Sequence, residues 1–302
     1  MLTKAGNFSL FMPVSNTVNT GIKIVTSPVK GGLAVVMNLF SADGELLALL
    51  SAAELTAFRT ALAVMTLFVR CTGSGGGVKR ENIVVFGSGR QAEWHARLAL
   101  ALSEPGEVKR ITVVNRTRGR LEALEKGVLS ELKGLYPDVT MGVLAKEGTP
   151  DYEDRLKSEL SASDVIFSCT PSTQPNFPFS YLKDSASDKS RFISLIGSYK
   201  PNMQEIDTET LLSGADGKVY VDSKEACLEE SGELINAGMK EDQLIEIGEV
   251  FEKSLPISVP AGRNVIFKCV GMGIMDLVIA KKVLDVATSQ GDGMYIEGFQ
   301  DA

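Results

Sequence analysis

Residues 84–102 read VVFGSGRQAEWHARLALAL, an apolar run that enters a glycine turn and leaves it with a helical period. Gly87-Ser88-Gly89-Arg90-Gln91-Ala92 fits G-x-G-x-x-G/A, after a strand and opening a helix. In that setting Gly87 permits the tight turn, Gly89 lets the backbone approach a pyrophosphate, and Ala92 lets helix and strand pack closely. The helix N-terminus adds free N–H groups and partial positive charge. Gly87, Gly89, Arg90, Gln91 and Ala92 are therefore assigned to a dinucleotide.

The next strand selects the cofactor. It reads ITVVN and runs into RTR, residues 111–118. A carboxylate at its end would accept from a ribose 2′-hydroxyl and repel a 2′-phosphate. This chain has Asn115, Arg116 and Thr117 there, groups able to hold a 2′-phosphate by charge-assisted hydrogen bonds. The reading is NADP(H) over NAD(H). The alternative is that Arg116 and Arg118 only solvate the start of a helix.

From Glu81 onward strands and helices alternate, which predicts a parallel sheet covered by helices on both faces. Strands are expected at 82–86, 110–114, 139–144, 164–169, 191–196 and 218–222, and helices at 91–103, 117–133 and 151–160. Ahead of that region, 21–28 and 32–40 read as strands, SADGE (41–45) as a hairpin turn, LLALLS as the returning strand and 55–70 as a helix capped by Ser51 or Thr56. TGSGGG, 72–77, lacks the G-K-[ST] ending of a phosphate loop and reads as a flexible link. Residues 265–287 read as a last strand and a long helix beyond the sheet, packing back toward the N-terminal segment. The domains expected are 1–72 plus 265–290, then 78–264, with 291–302 a loose tail.

Composition narrows the partners. The 302 residues carry a formal charge of −7, which disfavours nucleic acid. The longest apolar run, 61–69, is far too short to span a membrane, and the N-terminus is a poor signal peptide. The four cysteines are far apart, so no metal site is expected and they read as buried thiols of a cytoplasmic protein. The single histidine, His95, reads as packing, which leaves no second histidine for a hydrolase triad. Cys169-Thr170-Pro171 ends a strand at the sheet edge where open α/β folds bind ligands, so Thr170 and Pro171 are assigned to the cofactor.

These stretches, together with GIKIVT (21–26), LTAFRTA (55–61), IGSYKPNMQEID (196–207), VDSKEACLEESGEL, IGEV and FKCVGMGIMDL, resemble the ornithine cyclodeaminase/mu-crystallin family in order and spacing, from about Phe11 to Ala287. The resemblance implies an α/β fold: a Rossmann dinucleotide-binding domain inserted in a smaller α/β substrate-binding and dimerisation domain, working as a homodimer. It implies that Lys23 and Arg59 line the pocket for an amino acid or imino acid. It adds Gly197 and Gly271 to the cofactor site, the latter near the nicotinamide, and Asp276 to the catalytic set. Arg59 suits a carboxylate because its guanidinium is a bidentate fork. Lys23 can hold the same carboxylate or move a proton. Read without the resemblance, Arg59 is a helix-face salt bridge, Lys23 a solvated strand end and Asp276 a helix-turn residue.

Three departures from the family stand out. Its cyclodeaminase branch carries a catalytic Asp in G-G-D-x-P-G-K-T-E-L, and Ser198 is taken to stand in its place, which disfavours ornithine cyclisation. The mu-crystallin and ketimine reductase branch also lacks that Asp and prefers NADPH. The family has several dozen more residues ahead of Met12-Pro13, so the pocket is expected to be incomplete or the chain truncated, with an open sheet edge. An Asp usual ahead of the T-x-x-R-T helix is absent from LLALLSAAELTAFRT. The function expected is an NADP(H)-dependent oxidoreductase acting on the C=N or CH–NH bond of a cyclic ketimine or amino acid. The alternatives are a cyclodeaminase-type lyase using NAD and an inactive dinucleotide-binding homologue.

Overall fold

Two periodicities divide the chain: alternation near its N-terminus, and buried apolar runs separated by helices after residue 81. The computed structural model describes residues 1–29, 32–73, 76–183, 189–252, 257, 259–296 and 298. It forms two units, Met1–Thr60 with Gly271–Ala302, and Ala61–Val270.

The smaller unit is an antiparallel sheet of β1 (Phe8–Ser15), β2 (Thr20–Ser27), β3 (Ala34–Phe40) and β4 (Leu46–Ser51), in that order. Period-2 alternation splits β3 cleanly. Val35, Met37 and Leu39 point inward and pack with Leu277 and Ala280, while Val36, Asn38 and Phe40 face the other way. β1 was not legible as a strand. It pairs with β2 along its length and lies at the sheet edge, where Pro13 costs no ladder bond. The helix expected at 55–70 is α1 (Ala53–Cys71). Thr56 does not cap it: it lies inside, and its hydroxyl donates back to Ala52 O at 2.7 Å.

The larger unit is an eight-stranded, wholly parallel sheet. Its strands are β5 (Asn82–Phe86), β6 (Arg110–Asn115), β7 (Thr140–Ala145), β8 (Val165–Ser168), β9 (Phe192–Leu195), β10 (Val219–Val221), β11 (Leu244–Glu246) and β12 (Val265–Lys268). Their order is β11-β10-β12-β9-β8-β5-β6-β7, so the direction of winding reverses at β5/β8. That is the dinucleotide-binding Rossmann arrangement, with its switch point behind the glycine turn. The helices that follow α1 are α2 (Arg90–Ala101), α3 (Arg118–Leu124), α4 (Ser130–Leu135), α5 (Tyr152–Ala162), α6 (Ser180–Lys183), α7 (Thr208–Leu211), α8 (Lys224–Glu230), α9 (Gly232–Asn236), α10 (Ile247–Glu252) and, in the smaller unit, α11 (Gly273–Gln290). The single helix expected over 117–133 is interrupted by a π turn at Glu125–Leu129, around Gly127, a residue that holds helix poorly.

Three expectations are corrected. Strand 265–268 is not beyond the sheet but inside it, between β10 and β9; all four of its residues are buried, as a strand covered on both faces requires. The units meet at residues 60/61 and 270/271 rather than at 72 and 265, because Val64, Met65, Leu67 and Phe68 of α1 are buried and Phe68 packs its ring on Phe167 and Phe192. The glycine-rich stretch is tied at its two ends: Val78 N–H donates to Cys71 O, and Gly73 N–H to Val78 O. Its residues 74–75 lie outside the described residues, as do 297 and 299–302 of the expected tail. Among the described residues, no helix is long and apolar enough to cross a membrane.

Candidate functional site

The glycine turn has the geometry its sequence demands. Gly87 has φ +108°, and a Cβ there would lie 2.8 Å from Cys169 O, so only glycine fits. Gly89 is the N-cap of α2 in extended conformation, it brings no side chain to that helix end, and a Cβ there would meet open space. Ala92 is buried one turn on, and Gln91 carries a buried Oε1 without a hydrogen-bond partner. Free N–H groups at a helix start beside open space form an anion cradle.

His95 sits beneath this turn, fully buried, its Nδ1 2.7 Å from Gln91 O and its ring against Phe167. Burial pushes its pKa from 6.5 down to about 4. The unfolded chain therefore binds a proton in that window that the folded chain refuses. Stability is full above pH 6.5 and lost as pH falls toward 4, by about 3 kcal/mol. Urea unfolding of wild type and His95→Gln across this range tests it. The variant should lack that share of the acid-side loss, and identical profiles would contradict the assignment.

At the end of β6, Asn115 Nδ2 donates to Thr117 Oγ1 at 3.2 Å and to Thr117 O at 3.3 Å, while Arg116 and Arg118 are exposed. Sequence reading missed one group in this corner. Glu147, just past β7, accepts the Arg118 N–H at 2.9 Å. It lies 29 residues from Arg118 in sequence, and only the parallel pairing of β6 with β7 brings the two together.

The ends of β8, β9 and β12 converge on a buried polar network. Glu205 accepts from Gly197 N–H, Ser198 N–H, Thr170 N–H and the Ser168 hydroxyl. Burial pushes its carboxyl pKa up, opposed by Lys268 and by these donors. Glu233 accepts from the Ser198 hydroxyl at 2.6 Å and from Glu205 N–H at 2.7 Å. Lys268 donates to Ser198 O and Oγ. Thr170 turns its hydroxyl toward Asn176 and Glu205, and Pro171 is exposed. The place given to Ser198 is corrected. Its side chain is fully buried in this network, and the D-x-P spacing of the family stretch is met instead by Tyr199-Lys200-Pro201, with Tyr199 48% exposed. Tyrosine is no more a carboxylate than serine, so the argument against cyclisation is unchanged.

In the smaller unit β2, α1 and α11 bring three charges together. Lys23 Nζ lies 3.0 Å and Arg59 Nε 3.1 Å from the same oxygen, Asp276 Oδ1. Side-chain exposures are 3% for Lys23, 6% for Arg59 and 0% for Asp276, so Lys23 is not a solvated strand end. Arg59 Nη1 also touches Met275 Sδ at 3.4 Å. Among the described residues Lys23 donates to Asp276 Oδ1 alone and Arg59 to that oxygen and the Met275 sulfur, while Asp276 Oδ2 has no hydrogen-bond partner. Burial, then the Arg59 charge, hold the Lys23 pKa below its ordinary 10.5 despite Asp276. Gly271, at φ +94°, precedes α11; a Cβ there would lie 2.7 Å from Arg59 Nη1, so glycine leaves room for the guanidinium. The cluster thus has two cations for one carboxylate, with donors to spare.

A cavity of about 450 Å³, lined among others by Lys183, Arg191, Glu209 and Arg263, opens at the N-terminal ends of β9 and β12, the edge of the sheet opposite the glycine turn. Among the described residues no group of three or more His, Cys, Asp or Glu is placed to hold a metal ion.

A model of the ornithine cyclodeaminase/mu-crystallin family matches residues 2–291. An uncharacterised protein of Saccharomyces cerevisiae is 32% identical over 302 residues, covering 92% of this chain and 81% of that protein. The ketimine reductase mu-crystallin of Rattus norvegicus is 28% identical over 254 residues, covering 83% of this chain and 69% of its own. Among solved structures, Delta(1)-pyrroline-2-carboxylate reductase of Thermococcus litoralis, in complex with NADH and L-proline, superposes with a TM-score of 0.78 at 20% identity, over 97% of this chain and 86% of that one. With the family model spanning nearly its whole length, the chain belongs to the ornithine cyclodeaminase/mu-crystallin family.

Proposed function

We propose that this chain is an NADP(H)-dependent oxidoreductase that reduces a cyclic ketimine carboxylate to the cyclic amino acid, or runs the reverse oxidation. The observation that carries the reading is the Lys23–Asp276–Arg59 cluster. Two buried cations sharing one carboxylate oxygen leave an excess positive charge that a substrate carboxylate would balance. Arg59 offers Nη atoms for a two-point grip and Lys23 a point charge beside it. Two named relatives fit this reading, one a ketimine reductase and the other a pyrroline-2-carboxylate reductase.

The residues present fit a nicotinamide dinucleotide. The start of α2, the open space at Gly89 and the unpartnered Gln91 Oε1 suit the pyrophosphate segment, and Thr170, Pro171, Gly197 and Gly271 stand on loops after the strand ends. Bound there, the nicotinamide supplies two electrons as hydride; the protein binds, orients and polarises. Asn115, Arg116 and Thr117 favour the 2′-phosphate, and Glu147 opposes it. Glu147→Gln is therefore expected to raise affinity for NADPH relative to NADH several-fold, about what one charge at a partly exposed site supplies. Titration of Trp94 fluorescence measures it; an unchanged ratio would place Glu147 outside the subsite.

The outer face of the four-stranded sheet carries Phe11, Ile22, Ile24, Val36, Phe40 and Leu49, with Phe11 44% and Leu49 68% exposed and Asn38 Oδ1 buried without a partner. An apolar sheet face of that kind supports homodimerisation through the smaller unit. The reading is tested by the Trp94 titration with NADPH and NADH, together with assay of ammonia from L-ornithine. NADPH preference without ammonia release is expected. Ammonia release would favour the lyase, and binding of neither cofactor would remove the enzyme reading.

A further inference from the structure

Asp276 holds an unusual position for a carboxylate. It is fully buried, in the first turn of α11, and its orientation is fixed by two cations that both approach Oδ1. Oδ2 is buried too and takes no donor among the described residues. A buried, unsatisfied acceptor on an ionised group is costly, and native proteins retain one where a catalytic role, a water or a bound molecule accounts for it. On the proposed function, the molecule whose carboxylate Lys23 and Arg59 hold brings its own groups to within reach of that oxygen.

We infer that Asp276 reads the nitrogen of the substrate: Oδ2 accepts the N–H of a protonated cyclic imine, and of the secondary amine that hydride transfer leaves, while Lys23 and Arg59 hold the carboxylate; released to water, that amine takes up a proton to become the ammonium of the free amino acid. The inference rests on the proposed function and adds the feature that sets its substrate class. Oδ2 is an acceptor only. A 2-oxo acid would bring a carbonyl oxygen against it, acceptor against acceptor, and would be rejected; a protonated nitrogen brings both a donor and the opposite charge. This also accounts for the proton that C=N reduction needs. The imine arrives protonated. As its carbon gains the hydride, the C=N π pair becomes the amine lone pair and the nitrogen keeps its proton, with oxidation of the nicotinamide.

The test is equilibrium binding by calorimetry to the full chain in the presence of NADP⁺, with three five-membered-ring carboxylates that differ at one atom: L-proline, cyclopentanecarboxylate and tetrahydrofuran-2-carboxylate. Proline should bind about tenfold or more tightly than the carbocycle, the worth of one hydrogen bond to a charged group, and the ring-oxygen analogue weakest. In Asp276→Asn the proline advantage should shrink to within about threefold, with carbocycle binding retained. If the variant does not fold, the ranking on the wild-type chain decides. Equal binding of proline and the carbocycle overturns the inference and leaves the carboxylate reading standing. Binding of none of the three overturns that reading, and the inference with it.

Discussion

Arg59→Met is expected to lower kcat/KM for a cyclic ketimine carboxylate by about a thousandfold without destabilising the protein. Truncating one partner of a buried, hydrogen-bonded charge pair costs about 2–5 kcal/mol of binding, and each 1.4 kcal/mol is about tenfold. The loss should appear mainly in KM, because the carboxylate is held alike in the ground and transition states. Stability should move the other way. The cluster carries two cations on Asp276 Oδ1, and removing one relieves an excess buried charge while methionine keeps most of the volume. Arg59→Lys should fall between, since an ammonium keeps the charge but not the fork. Steady-state kinetics and urea midpoints on the three proteins separate the outcomes. A variant that is destabilised yet keeps its KM would make Arg59 a structural ion pair and nothing more.

Lys268→Met is expected to have the largest effect on stability, a loss of about 3–5 kcal/mol. Lys268 is fully buried at the end of β12, bound to Ser198 O and Oγ, with Glu233 Oε2 at 3.8 Å and Glu205 joined through the same serine. Its removal leaves two buried carboxylates with no cation in the network. Adding Glu233→Gln should recover part of the loss, giving a coupling energy well outside the error of an additive pair. Urea unfolding of the two single variants and the double variant reads it. Additivity, or a loss below about 1 kcal/mol, would mean that the carboxylates are held by their neutral and backbone donors alone.

Much of this was legible because local pattern and tertiary need coincide. The glycine turn is the clearest case: the strand before it, the φ > 0 position and the helix after it lie within one stretch of twenty residues. Lys23 and Arg59 were legible only through the family motif, since a lysine on a strand and an arginine on a helix have bland explanations by themselves. What escaped is what sequence distance hides. Lys23 and Asp276 are 253 positions apart, and Ser198 and Lys268 are 70 apart. Glu205, Glu233 and Lys268 lie in three separate stretches, and only the fold places them together. Strand 265–268 was put outside the sheet because chain order was followed where spatial order governs, and β1 escaped because its mixed pattern and proline suit only an edge.

The Lys23–Arg59–Asp276 cluster is proposed to hold the carboxylate beside a C=N bond that a nicotinamide dinucleotide reduces. The most direct measurement is NADPH oxidation by the purified chain with Δ1-pyrroline-2-carboxylate or its six-membered homologue, set against pyruvate as a C=O control. Turnover of the cyclic imines is expected, with the cofactor's transferred hydrogen on the product's α-carbon and no turnover of pyruvate. NADPH binding without reduction of either imine, or reduction of pyruvate at a comparable rate, would contradict it.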